Sequence, residues 1–297
     1  MEVGYRGVGL ATSSAFLTSV CCLLVKVSSL PPGEIWFCGL VVTLGAALPV
    51  ALYRGECLFP RGRRLMLFAH SLACSPLLLA TYQAVRLMPL ADEAVLSYSS
   101  IVFTVLLAGL WLGEPCGPAD VSASLLVLSG VVLLAGPSAD SSSYPHYLLG
   151  AALSLGGSLF DSVSCVFARK LVGLHYSVVL VNYSAVCLVF SCCFAFVEEW
   201  TFPASAVTPC VVSVAVLTAL QESLVTSALL VEEAGLVALA QTSDVAFAYL
   251  WELVFFDEGY SVVRISGAVV IVSVVVLSAF HKRSAFRNKD PGKEFLV

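Results

Sequence analysis

The feature that most limits what this chain can become is a near-continuous succession of apolar runs, each about as long as a bilayer is thick. Crossing a hydrocarbon core of about 30 Å takes roughly 20 residues of helix. Breaks at Pro, Gly and charge clusters divide the 297 residues into ten spans: 7–27, 33–53, 65–87, 89–112, 118–136, 147–168, 173–197, 206–229, 234–256 and 260–280. These runs exceed the roughly ten-residue alternating segments of a barrel strand, so the expectation is an all-α integral membrane protein. Composition agrees. The chain is 59% hydrophobic and 12% charged, whereas soluble domains run roughly 45–50% apolar and about 25% charged.

Orientation follows from the placement of Lys and Arg. An even number of crossings puts both termini on one side. That side receives Arg6, Arg54, Arg61, Arg63, Arg64, Arg169, Lys170, Lys282, Arg283, Arg287, Lys289 and Lys293, leaving Lys26, Arg86 and Arg264 for the other. Both termini are therefore expected in the cytosol. Residues 281–297 read as a short basic cytosolic tail, suited to an anionic inner leaflet. The net charge of −5 hides this sidedness and says little about partners.

Several functional classes find no support. Of eleven cysteines, Cys21, Cys22, Cys38, Cys74, Cys165, Cys187, Cys192 and Cys193 fall inside predicted spans, where Cys packs as a small apolar residue. No CxxC pair has a matching His, so no metal site is expected. The first span lacks a small-residue cleavage site, which argues against a removed signal peptide. The Asn182-Tyr183-Ser184 sequon lies within a span and is expected to stay unglycosylated. There is no phosphate-loop glycine pattern and no nucleophile elbow, so an ATP-driven pump, an enzyme and a bound cofactor are not expected, nor is nucleic-acid binding.

The chain also repeats itself weakly by halves. The stretch PLADEAVLSYSSIVFTVLLAGLWLGEP (89–115) is echoed by EAGLVALAQTSDVAFAYLWELVFFDEG (233–259). Each runs through mostly apolar residues and closes on an acid, Glu114 or Glu258, at an offset of 144 (258 minus 114), about half the chain. At that offset Ala94 matches Ala238, Ser99 matches Ser243, Phe103 matches Phe247 and Leu106 matches Leu250. A membrane chain built of two related halves points to a secondary transporter, whose site lies between them.

SSAFLTSVCCLLVK (13–26), the two echoed stretches, Arg169-Lys170-Leu171 and ALLVEEAGLVALAQTSDVAFAYLWELVFF (228–256) carry a family resemblance. Together they resemble an EamA-type member of the drug/metabolite transporter superfamily, and within it solute carrier family 35, subgroup G. The resemblance implies ten transmembrane helices arranged as two inverted five-helix repeats, at 7–136 and 147–280, with alternating access to a central cavity. The superfamily's substrates include nucleotide sugars, amines, amino acids and organic anions such as citrate. Similar subgroup members carry cationic residues where this chain has Gly39, His70, Ser227 and Gln241. A di- or tricarboxylate in a desolvated site needs positive partners, because an uncompensated charge there costs at least several kcal/mol. The resemblance thus pulls toward organic anions and the charge pattern toward neutral or cationic solutes.

Ionisable groups at membrane depth are candidate functional residues, because an idle one is costly. Asp161, Glu222, Asp244 and Glu252 are the deepest, with His70 shallower. Asp244 either lines a cavity or ties helices together through hydrogen bonds. Glu222 and Asp161 either couple proton movement to transport or stay neutral and locally bonded. Ser97-Tyr98-Ser99-Ser100 is the repeat-mate of Gln241-Thr242-Ser243-Asp244, and the two polar patches are expected to face one another as a binding surface. Tyr82 and Gln83 either add hydrogen bonds or pack. A charged His70 would make anion transport acid-dependent. Glu114 and Glu258 are expected to make helix-end contacts.

The sequence therefore predicts a facilitative or proton-coupled transporter of a small polar metabolite, in the plasma membrane or an endomembrane such as the ER or Golgi. Its partners are a small-molecule substrate, the lipid bilayer, and a second copy or another membrane protein. The alternative is a regulatory or interaction protein that kept the transporter scaffold and lost transport.

Overall fold

The computed structural model describes residues 3–28, 32–88, 90–114, 117–135, 145–195, 209–255 and 262–289. Among these every regular element is an α-helix: α1 (Val3–Ser28), α2 (Pro32–Tyr53), α3 (Arg64–Leu87), α4 (Leu90–Ser97), α5 (Ser100–Leu112), α6 (Pro118–Ala135), α7 (Tyr147–Lys170), α8 (Tyr176–Ala195), α9 (Pro209–Val231), α10 (Ala234–Gln241), α11 (Ser243–Phe255) and α12 (Val262–Lys289). Seven stretches of the described residues are long and apolar enough to cross a membrane: Arg6–Leu24, Trp36–Tyr53, Glu93–Leu112, Tyr147–Lys170, Tyr176–Cys193, Val211–Val231 and Val262–Phe280. The protein is a multi-pass membrane protein. Outward faces carry exposed Leu110, Leu148 and Val262, as helices do when lipid rather than water surrounds them.

Lipid tails are as apolar as Leu, so helices in a bilayer associate through close packing and hydrogen bonds. The buried face of α7 reflects this. Gly150, Ser154, Ser158 and Ser162 recur every fourth residue and are all buried, which places small side chains in one row. This lets α7 lie along α3 and touch α4 and α5. Ser162 Oγ donates to the carbonyls of Ser158 (2.9 Å) and Ser100 (2.8 Å). A close backbone approach joins α6 to α12, where a Cβ on Gly267 would stand 2.6 Å from the Gly130 carbonyl oxygen. Further long contacts pair α1 with α9 and α2 with α8, with α9 also against α2, α8 against α3, and α10 and α11 against α1.

The spans expected at 89–112 and 234–256 are each interrupted midway. The α4–α5 break falls at Tyr98-Ser99 and the α10–α11 break at Thr242. Both tighten to i→i−3 backbone bonds: Ser99 N–H to Leu96 O (3.2 Å) and Thr242 N–H to Leu239 O (3.3 Å). In each case the residue's own hydroxyl donates to that same carbonyl, Ser99 Oγ at 2.5 Å and Thr242 Oγ1 at 2.6 Å. Hydroxyl residues compete with helical bonding in this way, and their polar side chains supply the local partner a break needs. Discontinuous helices at membrane depth are tolerated where protein or a cavity receives the freed polar groups.

Candidate functional site

The two breaks flank a cavity of about 420 Å³ walled by α1, α2, α3, α5, α7, α8, α9, α10 and α11. Its polar lining includes His70 from α3, Asp161 from α7, Tyr183 from α8, Gln221 and Glu222 from α9, and Asp244 from α11. Tyr98, Ser100, Gln241 and Thr242 bring the two breaks to the same wall. Among the described residues, three carboxylic acids line the cavity and neither Lys nor Arg does. A second cavity of about 410 Å³, between α5, α6, α10 and α12, is walled mainly by Val, Leu and Ala and bordered by the exposed Leu126 and Leu277. Glu114, Asp120 and Glu233 also lie on its lining.

The cavity acids differ in what already satisfies them. Asp244 sits in the first turn of α11, where unpaired backbone N–H groups and the helix dipole favour a negative group. Tyr98 Oη donates to it at 2.7 Å from Oδ1 and 2.8 Å from Oδ2. Asp161 lies beside Ser100 and Glu222 beside Tyr183, and both acids are on the lining of the same cavity. His70 is only 7% exposed. Its Nδ1 stands 3.1 Å from the Ser164 carbonyl oxygen. A carbonyl only accepts, so the proton is on Nδ1. The Tyr183 ring lies 6.4 Å from the imidazole, and Trp36 also lines the cavity.

Several expected residues take other places. Ser97 Oγ donates to Glu93 (2.5 Å) and lies 3.4 Å from Ser154 Oγ. Ser99 Oγ lies 3.1 Å from Ser158 Oγ. Both serines thus join the α4–α5 break to α7. Of the four positions where the family resemblance led to an expectation of cations, His70 and Gln241 line the cavity. Ser227 Oγ donates to its own helix at Ser223 O (2.6 Å). Gly39 faces Thr218, whose Cγ2 would be 3.1 Å from an added Cβ. The side chains of Tyr82 and Glu252, and all of Glu258, lie outside the described residues. Sequence reasoning passed over Trp36, Tyr183 and Thr226, which all line the cavity. A signal for Tyr183 existed: its polar neighbours Asn182 and Ser184 mark an unusual turn in an apolar span, and Asn182 Nδ2 donates to Leu58 O (3.0 Å) and Val178 O (2.8 Å).

Glu114 makes contacts away from the cavity. Its Oε1 receives Arg169 Nε at 2.8 Å and its Oε2 receives the Ala234 N–H at 3.0 Å. Arg169 Nη1 also reaches the Leu229 carbonyl at 3.3 Å. One ion pair therefore gathers the ends of α5, α7 and α9 with the start of α10.

The model of the EamA-like transporter family matches residues 5–136. Human solute carrier family 35 member G1 is 30% identical over 287 residues, covering 91% of this chain and 77% of that protein. The chain belongs to the EamA-like transporter family. The mouse member G1 is 29% identical over 277 residues, covering 87% of this chain and 74% of the mouse protein. The Pseudopaline exporter CntI of Pseudomonas aeruginosa is 27% identical over 282 residues, covering 93% and 97%. A solved crystal structure superposes with a TM-score of 0.80 at 17% identity, over 93% of this chain and 98% of the other, a likeness of fold. Family membership makes this EamA-like chain a membrane transporter by relationship, and its relatives are transporters and an exporter rather than enzymes.

Proposed function

We propose that the chain carries a small polar metabolite across its membrane by alternating access, as a facilitator or with protons, through the cavity flanked by the two broken helices. Ten crossings in two inverted halves, 7–136 and 147–280, account for the packing. If α1, α2, α3, α4/α5 and α6 correspond in order to α7, α8, α9, α10/α11 and α12, exchanging halves turns α3–α7 into α9–α1. It turns α2–α9 into α8–α3, and leaves α2–α8 and α6–α12 unchanged, all of which are observed pairs. Helices interrupted at corresponding positions of two halves mark a transporter's binding region. Sidedness of Lys and Arg supports cytosolic termini.

The observation that carries this reading is the 420 Å³ cavity with polar groups from both halves, within the roughly 300–1,000 Å³ range of small-ligand sites. Carboxylates with neither Lys nor Arg among the described lining residues favour a neutral or cationic solute over a citrate-like anion. Glu222 and Asp161 supply protonatable groups for coupling, while Asp244, Gln241, Ser100 and Tyr98 shape the wall beside the breaks. Uptake into proteoliposomes across organic anions, amines and sugars tests the reading, with internal pH followed in parallel. Saturable flux of one class, altered by Glu222→Gln, is expected. No flux for any class, together with stoichiometric capture of another membrane protein, would favour a regulator on this scaffold.

A further inference from the structure

Resting on that reading, we infer that the cavity seats a protonated primary or secondary amine, its ammonium held among Asp161, Glu222 and the free ring nitrogen of His70. His70 supplies the acceptor. Its Nδ1–H is engaged by the Ser164 carbonyl, so the neutral ring presents Nε2 as an acceptor. This nitrogen has no partner among the described residues, on a side chain 7% exposed that lines the cavity. On the cavity lining, this acceptor is open to an N–H-bearing ligand, which can donate to it.

The carboxylates specify charge. Asp244 has both oxygens engaged by Tyr98 and lies at a helix N-terminus, so its place is already accounted for by the protein. Among the described residues, Asp161 and Glu222 are accompanied by Ser100 and Tyr183 hydroxyls rather than by a cation. Both acids line the same cavity, and an ammonium seated there can be paired by either carboxylate. Trp36 and Tyr183 supply aromatic surface on the same lining, the type of wall that attracts ammonium groups through the ring face. A quaternary ammonium shares the charge and the ring contacts but has no N–H for His70 or the carboxylates. That difference separates recognition by hydrogen bonds from attraction by charge alone.

The test uses the purified full chain with 2-phenylethylamine, its N,N,N-trimethyl analogue, citrate and glucose. Thermal shift in detergent is read first, because a ligand that binds the folded state raises its stability without any substitution. The primary amine is expected to stabilise the protein at concentrations at least tenfold below those needed for the trimethyl analogue. In proteoliposomes, Glu222→Gln and Asp161→Asn are each expected to lower amine uptake at least tenfold. His70→Gln, which keeps an acceptor near the Nε2 position, should retain more uptake than His70→Leu. Equal stabilisation by the two analogues, or stabilisation by citrate alone, overturns the inference. Glucose or citrate flux with no response to amine overturns it while leaving the transporter reading intact. Amine stabilisation without flux of any solute supports the site and removes the transporter reading.

Discussion

Tyr98 and Asp244 join the two helix breaks across the molecule: one phenol hydroxyl spans both carboxylate oxygens, at 2.7 and 2.8 Å. The contact links α10–α11 to α4–α5 at the place where each has lost regular helical bonding. Removing one side of a buried polar pair costs about 1–3 kcal/mol because the remaining group is stranded. Tyr98→Phe and Asp244→Asn are therefore each expected to lower the thermal midpoint in detergent. The double variant should lose less than the two single losses combined, because the residues share one interaction. Strictly additive losses would show that the pair does not act as a unit.

Glu114 has two duties, and a charge exchange separates them. It pairs with Arg169 through Oε1 and accepts the Ala234 N–H through Oε2. Glu114→Arg is expected to destabilise by leaving two cations together and the α10 start without its acceptor. Adding Arg169→Glu restores opposite charges but not the carboxylate at Ala234. Thermal unfolding should show partial rescue of the double variant, short of the parent by about 1 kcal/mol, the worth of a helix N-terminal acceptor. Full rescue would mean that the ion pair alone matters.

The all-helical membrane character was legible because bilayer thickness imposes a run length that few soluble sequences match. Helix ends were legible too, with Pro32, Pro118 and Pro209 opening α2, α6 and α9. The breaks were not, since Ser99 and Thr242 sit inside runs whose average apolarity reads as continuous helix. The polar clusters that drew notice as a binding surface are the same residues that interrupt the helices. Composition also could not separate Asp244, held by a phenol from the other break, from Glu222 and Asp161. Partnering depends on which helices meet, and a single sequence does not encode that in spacing. Tyr183 illustrates the same limit, since its use was hidden in a turn that read as an idle sequon.

Close packing of α6 on α12 gives a third expectation. A Cβ at Gly267 would meet Gly130 O at 2.6 Å and Leu134 N at 2.8 Å, both backbone atoms that cannot swing aside. Gly267→Ala is expected to destabilise by about 1–3 kcal/mol through overpacking. Gly9→Ala, with nothing within 4 Å of the added carbon, should be neutral or stabilise by up to about 1 kcal/mol from helix propensity. Thermal unfolding of the two variants in the same detergent decides it, and equal effects would contradict the close approach.

His175, in the connection between α7 and α8, gives the fourth expectation, and it concerns pH. Its Nδ1 lies 3.4 Å from the Ser177 backbone nitrogen and 2.7 Å from the Ser177 hydroxyl. A backbone N–H only donates, so Nδ1 must be unprotonated to cap the start of α8. Partial burial lowers the pKa of this imidazole from its usual 6.5, Arg54 lowers it further, and Glu56 acts against both. The folded state thus favours the neutral ring. The cap's contribution is complete above about pH 6.5 and is lost as acid protonates the ring through its lowered folded pKa. Amide exchange at Ser177 and Val178 should accelerate as the pH falls below about 6.5, beyond the intrinsic chemical trend. His175→Asn, which offers an acceptor that does not titrate, should abolish that excess while keeping protection at neutral pH. An unchanged acid-dependent excess in that variant would assign the effect to a group other than His175.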